Sequence, residues 1–174
     1  MAEIKTRQAN IEDVEMLQKL SYQTFWDTFY NHPKNTLENI TAYVNVAFTH
    51  EQIYKELKDD KTIFIIAEIK SDAVGYARLT FGNYEHGIIA KRPVELVRLY
   101  STQEYLGKGV GTKLMEECIE IAKKYNCDVI WLGVWEHNGR AQSFYRKHGF
   151  EIVGDHIFYL GSDAQTDLLM QKNL

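Results

Sequence analysis

The sequence predicts an α/β protein, α+β in some classifications, with a mixed sheet and helices on both of its faces. Three observations carry that expectation. Two apolar runs, Lys61–Ile69 and Asp128–Trp135, are rich in β-branched and aromatic residues and read as strands buried on both sides. From Gly109 to Tyr125, Leu114, Cys118 and Ala122 recur at every fourth position with Met115 and Ile119 beside them, the apolar stripe of one helix facing a sheet. A strand, a helix and a strand in that order form a parallel pair joined by a crossover.

Taken in order, Glu3–Arg7 reads as a short first strand. Asn10 then caps a helical segment, with Asp13 three residues on as its capping-box partner. Val14, Leu17, Leu20, Phe25 and Phe29 mark the apolar face of that segment, which runs toward Tyr30. His32-Pro33-Lys34-Asn35 breaks it, and Asn35 or Thr36 caps a second helix through about Phe48. A third helix spans Glu51–Leu57. The strand Lys61–Ile69 turns at Ser71-Asp72 into Ala73–Phe81, an antiparallel hairpin, and Gly82–Pro93 is a loop over one edge of the sheet. After the apolar run Leu96–Tyr100 and the helix already described, Lys123 and Lys124 complement the helix dipole and Asn126 stops the chain in a left-handed conformation. Asn138 caps a last helix that Gly149 ends, and Glu151–Tyr159 and Thr166–Lys172 close the chain as a hairpin around Gly161-Ser162-Asp163. At 174 residues a single domain, 1–174, is the expectation.

The stretch that organises the chain is Glu95–Leu114. A strand feeds three alternate glycines, Gly107, Gly109 and Gly111, and a helix opens directly after them. N–H groups in such a loop and in the first helical turn have no partner within the helix, and glycine lets them approach an anion closely. Lys108, Val110 and Thr112 lie on the same loop and offer N–H groups as well. The loop is not a P-loop, whose second glycine would fall at Thr112. It is not the dinucleotide fingerprint either, whose third glycine would fall at Thr112 or Leu114. A phosphate or pyrophosphate cradle remains, alongside a ligand-free glycine turn.

Composition narrows the partners. A net charge of −4 without a long basic run argues against nucleic acid. The sequence holds no apolar stretch of membrane-spanning length, and its beginning lacks a signal-peptide core, so a cytoplasmic location and no membrane partner are expected. The cysteines Cys118 and Cys127 suit no zinc site, and six scattered histidines form no ligand pattern, so no metal is expected.

The loop Leu106-Gly107-Lys108-Gly109-Val110-Gly111 and the segment Asn138 to Phe150, which reads N-x-x-A-x-x-F-Y-x-x-x-G-F, together resemble the two acetyl-coenzyme A motifs of the GNAT superfamily of N-acetyltransferases. Leu106 departs from the Gln or Arg usual at its position. A narrower resemblance, to PaiA-type polyamine acetyltransferases, rests on Phe25, Thr28 and Phe29, on Gly75-Tyr76, and on Phe158 to Asp167 followed by Met170. The resemblance implies a mostly antiparallel sheet splayed at an acetyl-CoA cleft. It also implies acetyl transfer to a primary amine, such as spermidine or spermine, and a possible homodimer. A peptide or protein acceptor, or a non-catalytic acyl-CoA-binding module, are the alternatives on the same fold.

The resemblance also distributes roles. Leu99, Tyr100 and Ser101 would pair by backbone with the pantetheine arm, as an added strand does, and an N–H near Leu99 would polarise the thioester carbonyl. Gly107, Lys108, Gly109, Val110, Gly111 and Thr112 would hold the pyrophosphate. Asn138 would bond the pantetheine arm, and Ser143 and Lys147 would reach the far end of the coenzyme. Tyr145 is the general acid. Glu95, eleven residues ahead of Leu106, is the general base, which burial beside the cleft would suit by raising its pKa. Glu85 and Asp27 stand in reserve as base or substrate anchor.

Overall fold

The structure, a computed structural model, describes residues 3–174. Seven strands form one sheet: β1 (Lys5–Gln8), β2 (Thr62–Ile69), β3 (Asp72–Phe81), β4 (Pro93–Ser101), β5 (Val129–Trp135), β6 (Glu151–Leu160) and β7 (Asp163–Asn173). Their spatial order is β1-β2-β3-β4-β5-β7-β6. Every neighbouring pair is antiparallel except β4 and β5. Five α-helices accompany them: α1 (Val14–Phe29), α2 (Leu37–Ala47), α3 (His50–Lys58), α4 (Val110–Lys124) and α5 (Gly139–Lys147).

The pleat of β2 shows how the sheet divides two cores. Ile63, Ile65, Ala67 and Ile69 face the side of α4, with Leu114, Met115, Cys118 and Ala122. Phe64 and Ile66 face the other side, with Leu17 and Phe25 of α1, Ile40 and Val44 of α2 and Ile53 of α3. Alternation along one strand thus feeds two layers, and the strand reads as continuously apolar for that reason. α5 joins the α4 side through Ala141, Phe144 and Tyr145.

Local signals behave as the sequence predicts at most termini. Asn10 accepts from the Glu12 N–H, and Asp13 returns the bond to Asn10 in a capping box. The residues it opens, Ile11–Asp13, form a single 3₁₀ turn before α1 begins. Thr36 caps α2 and Asn138 caps α5. Asn126 and Gly149 take the left-handed conformations expected of helix stops. Several boundaries shift. β4 begins at Pro93 rather than Leu96, because Pro93 already pairs with Val129 of β5. β1 is Lys5–Gln8 rather than Glu3–Arg7, because its ladder with Glu68–Ile65 starts at Lys5. The hairpin turn lies at Lys70-Ser71, one residue earlier than expected, and both residues have positive φ, 51° and 71°. β7 begins at Asp163 rather than Thr166, since Leu160↔Asp163 already pair across Gly161-Ser162.

The feature that positions the site is the one parallel contact. β4 and β5 pair only at Pro93↔Val129, Val94↔Ile130 and Glu95↔Trp131. Beyond Glu95 they diverge, so β4 from Leu96 to Ser101 turns an unpaired edge into a fork. A bulge sharpens this. Arg78 pairs with Arg98 and Leu79 with Leu96, which leaves Val97 as an extra residue on β4. Leu96 and Leu99 therefore both pack on the α4 side, while Tyr100 packs on the α1–α3 side. Bulges re-aim side chains and end pairing in this manner.

Candidate active site

A cavity of about 900 Å³ runs through the fork from one face of the sheet to the other. On the α4 side it is floored by the glycine loop. Gly107 and Gly109 have φ of 75° and 91°, conformations that a side chain would strain. The first intrahelical bond of α4 runs from the Lys113 N–H to the Gly109 carbonyl. The N–H groups of Val110, Gly111 and Thr112 therefore have no partner within the helix and stand at its positive end. Gly111 differs from the other two glycines. A Cβ there would stand 3.5 Å from the Phe144 ring, an ordinary contact, and its φ is not positive, so neither space nor backbone demands a glycine. Lys108 also departs from expectation. Its N–H is spent on the Tyr105 carbonyl at 3.2 Å, and its ammonium lies 5.4 Å from the Tyr105 ring centroid. The Val110 side chain is wholly buried core, which leaves its backbone alone for a ligand.

The remaining residues proposed for the coenzyme converge on the cavity. Leu99, Tyr100 and Ser101 line it from the unpaired edge of β4, and Asn138, Ser143 and Lys147 line it from α5. The Asn138 carbonyl oxygen is committed to the Ala141 N–H that it caps, so only its amide hydrogens are left for a ligand. Leu106, in extended conformation, also lines the cavity. Free backbone groups of β4 and anion-seeking amides at α4 thus face one channel, which fits an extended thioester carrier with a diphosphate.

Tyr145 lines the same channel from α5. Burial pushes its hydroxyl pKa well above the usual phenol range, so it is a neutral donor throughout the neutral pH range. Glu95 sits at the last paired position of β4, half-buried on the cavity wall, and accepts a hydrogen bond from Asn83 Nδ2 at 2.8 Å. Of the reserve carboxylates, Asp27 is not brought to the cavity wall. It accepts from Gln23 along the surface of α1 at 2.8 Å. Glu85, in the loop between β3 and β4, accepts from or is bridged to His156 Nδ1 at 2.9 Å.

On the α1–α3 side the cavity is walled by Phe25, Phe29, Tyr43, Phe158 and Trp135. The rings pack against one another, with Phe25 4.7 Å from Tyr43 and Tyr43 5.4 Å from Phe158. The β6–β7 hairpin holds this wall against α2. Ser162 bonds Asn39, and Gln165 bonds Asn35 at 2.9 Å. Sequence reasoning missed two polar groupings here. Arg98 grips Glu56 of α3 in a bidentate pair at 2.7 and 3.0 Å, and Arg78 adds a third bond to Glu56 at 3.0 Å. Asp167 of β7 and His156 of β6 stand opposite Gly133. Glu56 is 22 or more residues from its arginines, and His156 and Asp167 meet only across the β6–β7 ladder; only Gly133, a glycine inside an apolar strand, hints at a close approach.

A strand fork beside a helix N-terminus with free amides, with Tyr145 on the wall of the same cavity, suits an acyl-coenzyme A-dependent acyltransferase. Residues 21–150 match the Acetyltransferase (GNAT) family, and the chain belongs to that family. It is an acetyl-CoA-dependent N-acetyltransferase, with acetyl-CoA its cosubstrate. The chain is 28% identical over its whole length to an uncharacterised N-acetyltransferase of Lactobacillus delbrueckii subsp. lactis, 99% of which is covered. It is 28% identical over 153 residues to a spermidine N(1)-acetyltransferase of Thermoplasma acidophilum, covering 86% of this chain and 89% of that one. A crystal structure of a PaiA N-acetyltransferase from Thermoplasma acidophilum in complex with coenzyme A superimposes with a TM-score of 0.78. It is 27% identical and covers 99% of both chains. Among the described residues no helix is long and apolar enough to cross a membrane.

Proposed function

We propose that the protein transfers acetyl from acetyl-CoA to a primary amine of a small polyamine such as spermidine or spermine. The observation that carries this reading is the aromatic cavity beyond the fork, with Glu95 and Asp167 on its wall. Aromatic faces hold alkyl chains and attract ammonium groups, and carboxylates supply the counter-charge. The similarity to a spermidine acetyltransferase supports the same substrate class.

In this reading the pyrophosphate rests on the amides of Gly107 and of Gly109 to Thr112, and the pantetheine arm lies along Leu99–Ser101. The bulge at Val97 turns backbone toward the thioester carbonyl. Alkyl ammonium groups have a pKa of about 10.4 and cannot attack until deprotonated. Glu95, at the fork, is a base that takes a proton from the acceptor nitrogen. Once the carbon–nitrogen bond forms, the carbon–sulfur bond breaks and Tyr145 protonates the departing sulfur. Ser143 and Lys147 contact the nucleotide end of the coenzyme.

A second reading is favoured by one observation. Arg78 and Arg98 reach the cavity with a single carboxylate, Glu56, between them. Two guanidinium groups sharing one carboxylate favour an acceptor that carries an anionic group near its amine, as a peptide does. Thiol release measured with spermidine, spermine, simple diamines and short peptides separates the two. Acetylation of polyamines far above peptides is the expected outcome. Turnover confined to peptides would overturn the polyamine assignment, and tight coenzyme binding with no turnover of any amine would overturn the catalytic one.

A further inference from the structure

Two protons must leave the acceptor nitrogen, one from the ammonium before attack and one as the amide forms. Tyr145 returns one to the sulfur, so a net proton must leave a largely aromatic cavity. The structure contains a file of side chains from that cavity to the surface. Asp167 lines the cavity, with 14% of its side chain exposed, and its Oδ2 lies 3.8 Å from His156 Nε2. His156 Nδ1 lies 2.9 Å from Glu85 Oε2, and exposure rises along the file to 28% and then 34%. His156 thus turns one ring nitrogen toward each carboxylate, Nδ1 to Glu85 and Nε2 to Asp167. An imidazole takes a proton at one nitrogen and gives one from the other, so it can join the two groups.

The file is held open by the sheet itself. Gly133 lies on the same face of β5, and a Cβ there would stand 3.2 Å from His156 Nε2 and 3.3 Å from Asp167 Oδ2. Any other residue would press on the gap between the two groups. Among the described residues no three acidic, histidine or cysteine side chains are disposed to hold a metal ion, and the trio stands as a line, not a coordination shell.

We infer that Asp167 takes the first proton from the bound ammonium and that His156 and Glu85 carry it to water, leaving Glu95 to take the second as the amide forms. The inference rests on the acceptor being an alkyl amine, as proposed above, but not on its being a polyamine. The balance is complete. RNH₃⁺ gives one proton to Asp167, and the freed amine attacks the thioester carbon. The carbon–sulfur bond breaks with its electron pair on sulfur, Tyr145 protonates that sulfur, and the proton held by Glu95 restores Tyr145 through water. One proton leaves by His156 and Glu85. Burial raises the Asp167 pKa to about 6, against the lowering effect of His156, so the group is ionised yet basic at pH 7. Tyr43 of α2 also senses its charge, and Glu95 and Arg98 of β4 and Arg78 of β3 line the same cavity. His32 and His137 lie behind Trp135. The arginines disfavour a second cation and so ease proton loss from the ammonium.

The test is the pH dependence of kcat/KM for an alkyl amine, measured for the wild type, Asp167→Asn, His156→Gln and Glu95→Gln, with coenzyme affinity as the check on folding. The wild type should show an acid limb near pH 6. Asp167→Asn should lose roughly 10²-fold at pH 7, lose that limb, and recover as pH rises toward the amine's own pKa. His156→Gln should move the limb to higher pH, since the imidazole lowers the Asp167 pKa. Glu95→Gln should lose activity without the recovery. An aniline-type acceptor, already neutral at pH 7, should be spared by Asp167→Asn. A wild-type profile in Asp167→Asn, or an equal loss at every pH, would overturn the relay. Poor turnover of polyamines, with another alkyl amine showing the Asp167-dependent limb, would overturn the substrate and leave the relay standing.

Discussion

In the proposed mechanism the transfer step turns on Tyr145. It is the only proposed acid, and its burial among Phe144, Phe150 and the α4 core fixes the ring. Because burial raises its pKa, it is protonated below and well above neutrality, and it adds no basic limb near pH 8. Tyr145→Phe keeps the ring and removes only the donor. Turnover should fall roughly 10²–10⁴-fold with coenzyme affinity nearly unchanged, which calorimetry and single-turnover kinetics check together. An unchanged turnover would take Tyr145 out of the acid role. In the sequence, Tyr145 was singled out through the family resemblance that F-Y-x-x-x-G-F carries, and the structure places it on the cavity wall. Asp167 was not singled out. It lies in a polar stretch, A-Q-T-D, and only the ladder with His156 and Trp135 brings it to the cavity.

At the scale of elements, turns and bulges set what faces what. The β2–β3 hairpin closes through Lys70 and Ser71, both left-handed, the geometry of a type I′ turn for which Asn-Gly is preferred. Replacing Lys70-Ser71 by Asn-Gly should stabilise the protein by about 0.5–2 kcal/mol, read as a higher midpoint in urea with an unchanged slope. The turn does not line the cavity, so kcat should not change. The same hairpin depends on a second glycine. A Cβ on Gly75 would come within 2.7 Å of the Tyr100 carbonyl and 2.8 Å of Val110. That bare position lets β3, β4 and α4 close under the fork. The sequence announced the hairpin by its alternation and the glycine by its presence. The reason for the glycine is a contact 25 residues away, and it appears only when the strands are laid side by side.

For the molecule as a whole, keeping a carboxylate dry has a stability cost. Asp167 has a folded pKa near 6 against an ordinary value of 3.8. The folded state therefore binds more protons than the unfolded state between those values, and stability falls as pH rises through that window. Asp167→Asn removes the effect. Its stability relative to wild type should rise from about pH 4 to pH 6.5 and then level off, by up to about 3 kcal/mol. Thermal unfolding of both proteins across pH 4–8 measures it. A constant difference would mean that the Asp167 carboxyl titrates normally. A more stable but slower variant is the expected exchange at a functional site.

Periodicity and end signals were enough to define nearly every helix and strand, the parallel crossover, and the glycine loop with its helix. Those features are written in neighbouring residues, where spacing at 2 or 3.6 and caps at fixed offsets act locally. The splay of β4 from β5 after Glu95, the bulge at Val97, the Glu56–Arg98–Arg78 cluster and the Asp167–His156–Glu85 file were decided only in three dimensions. Each joins groups far apart in the chain, and the energy that holds it comes from packing and desolvation, which no short window of sequence contains.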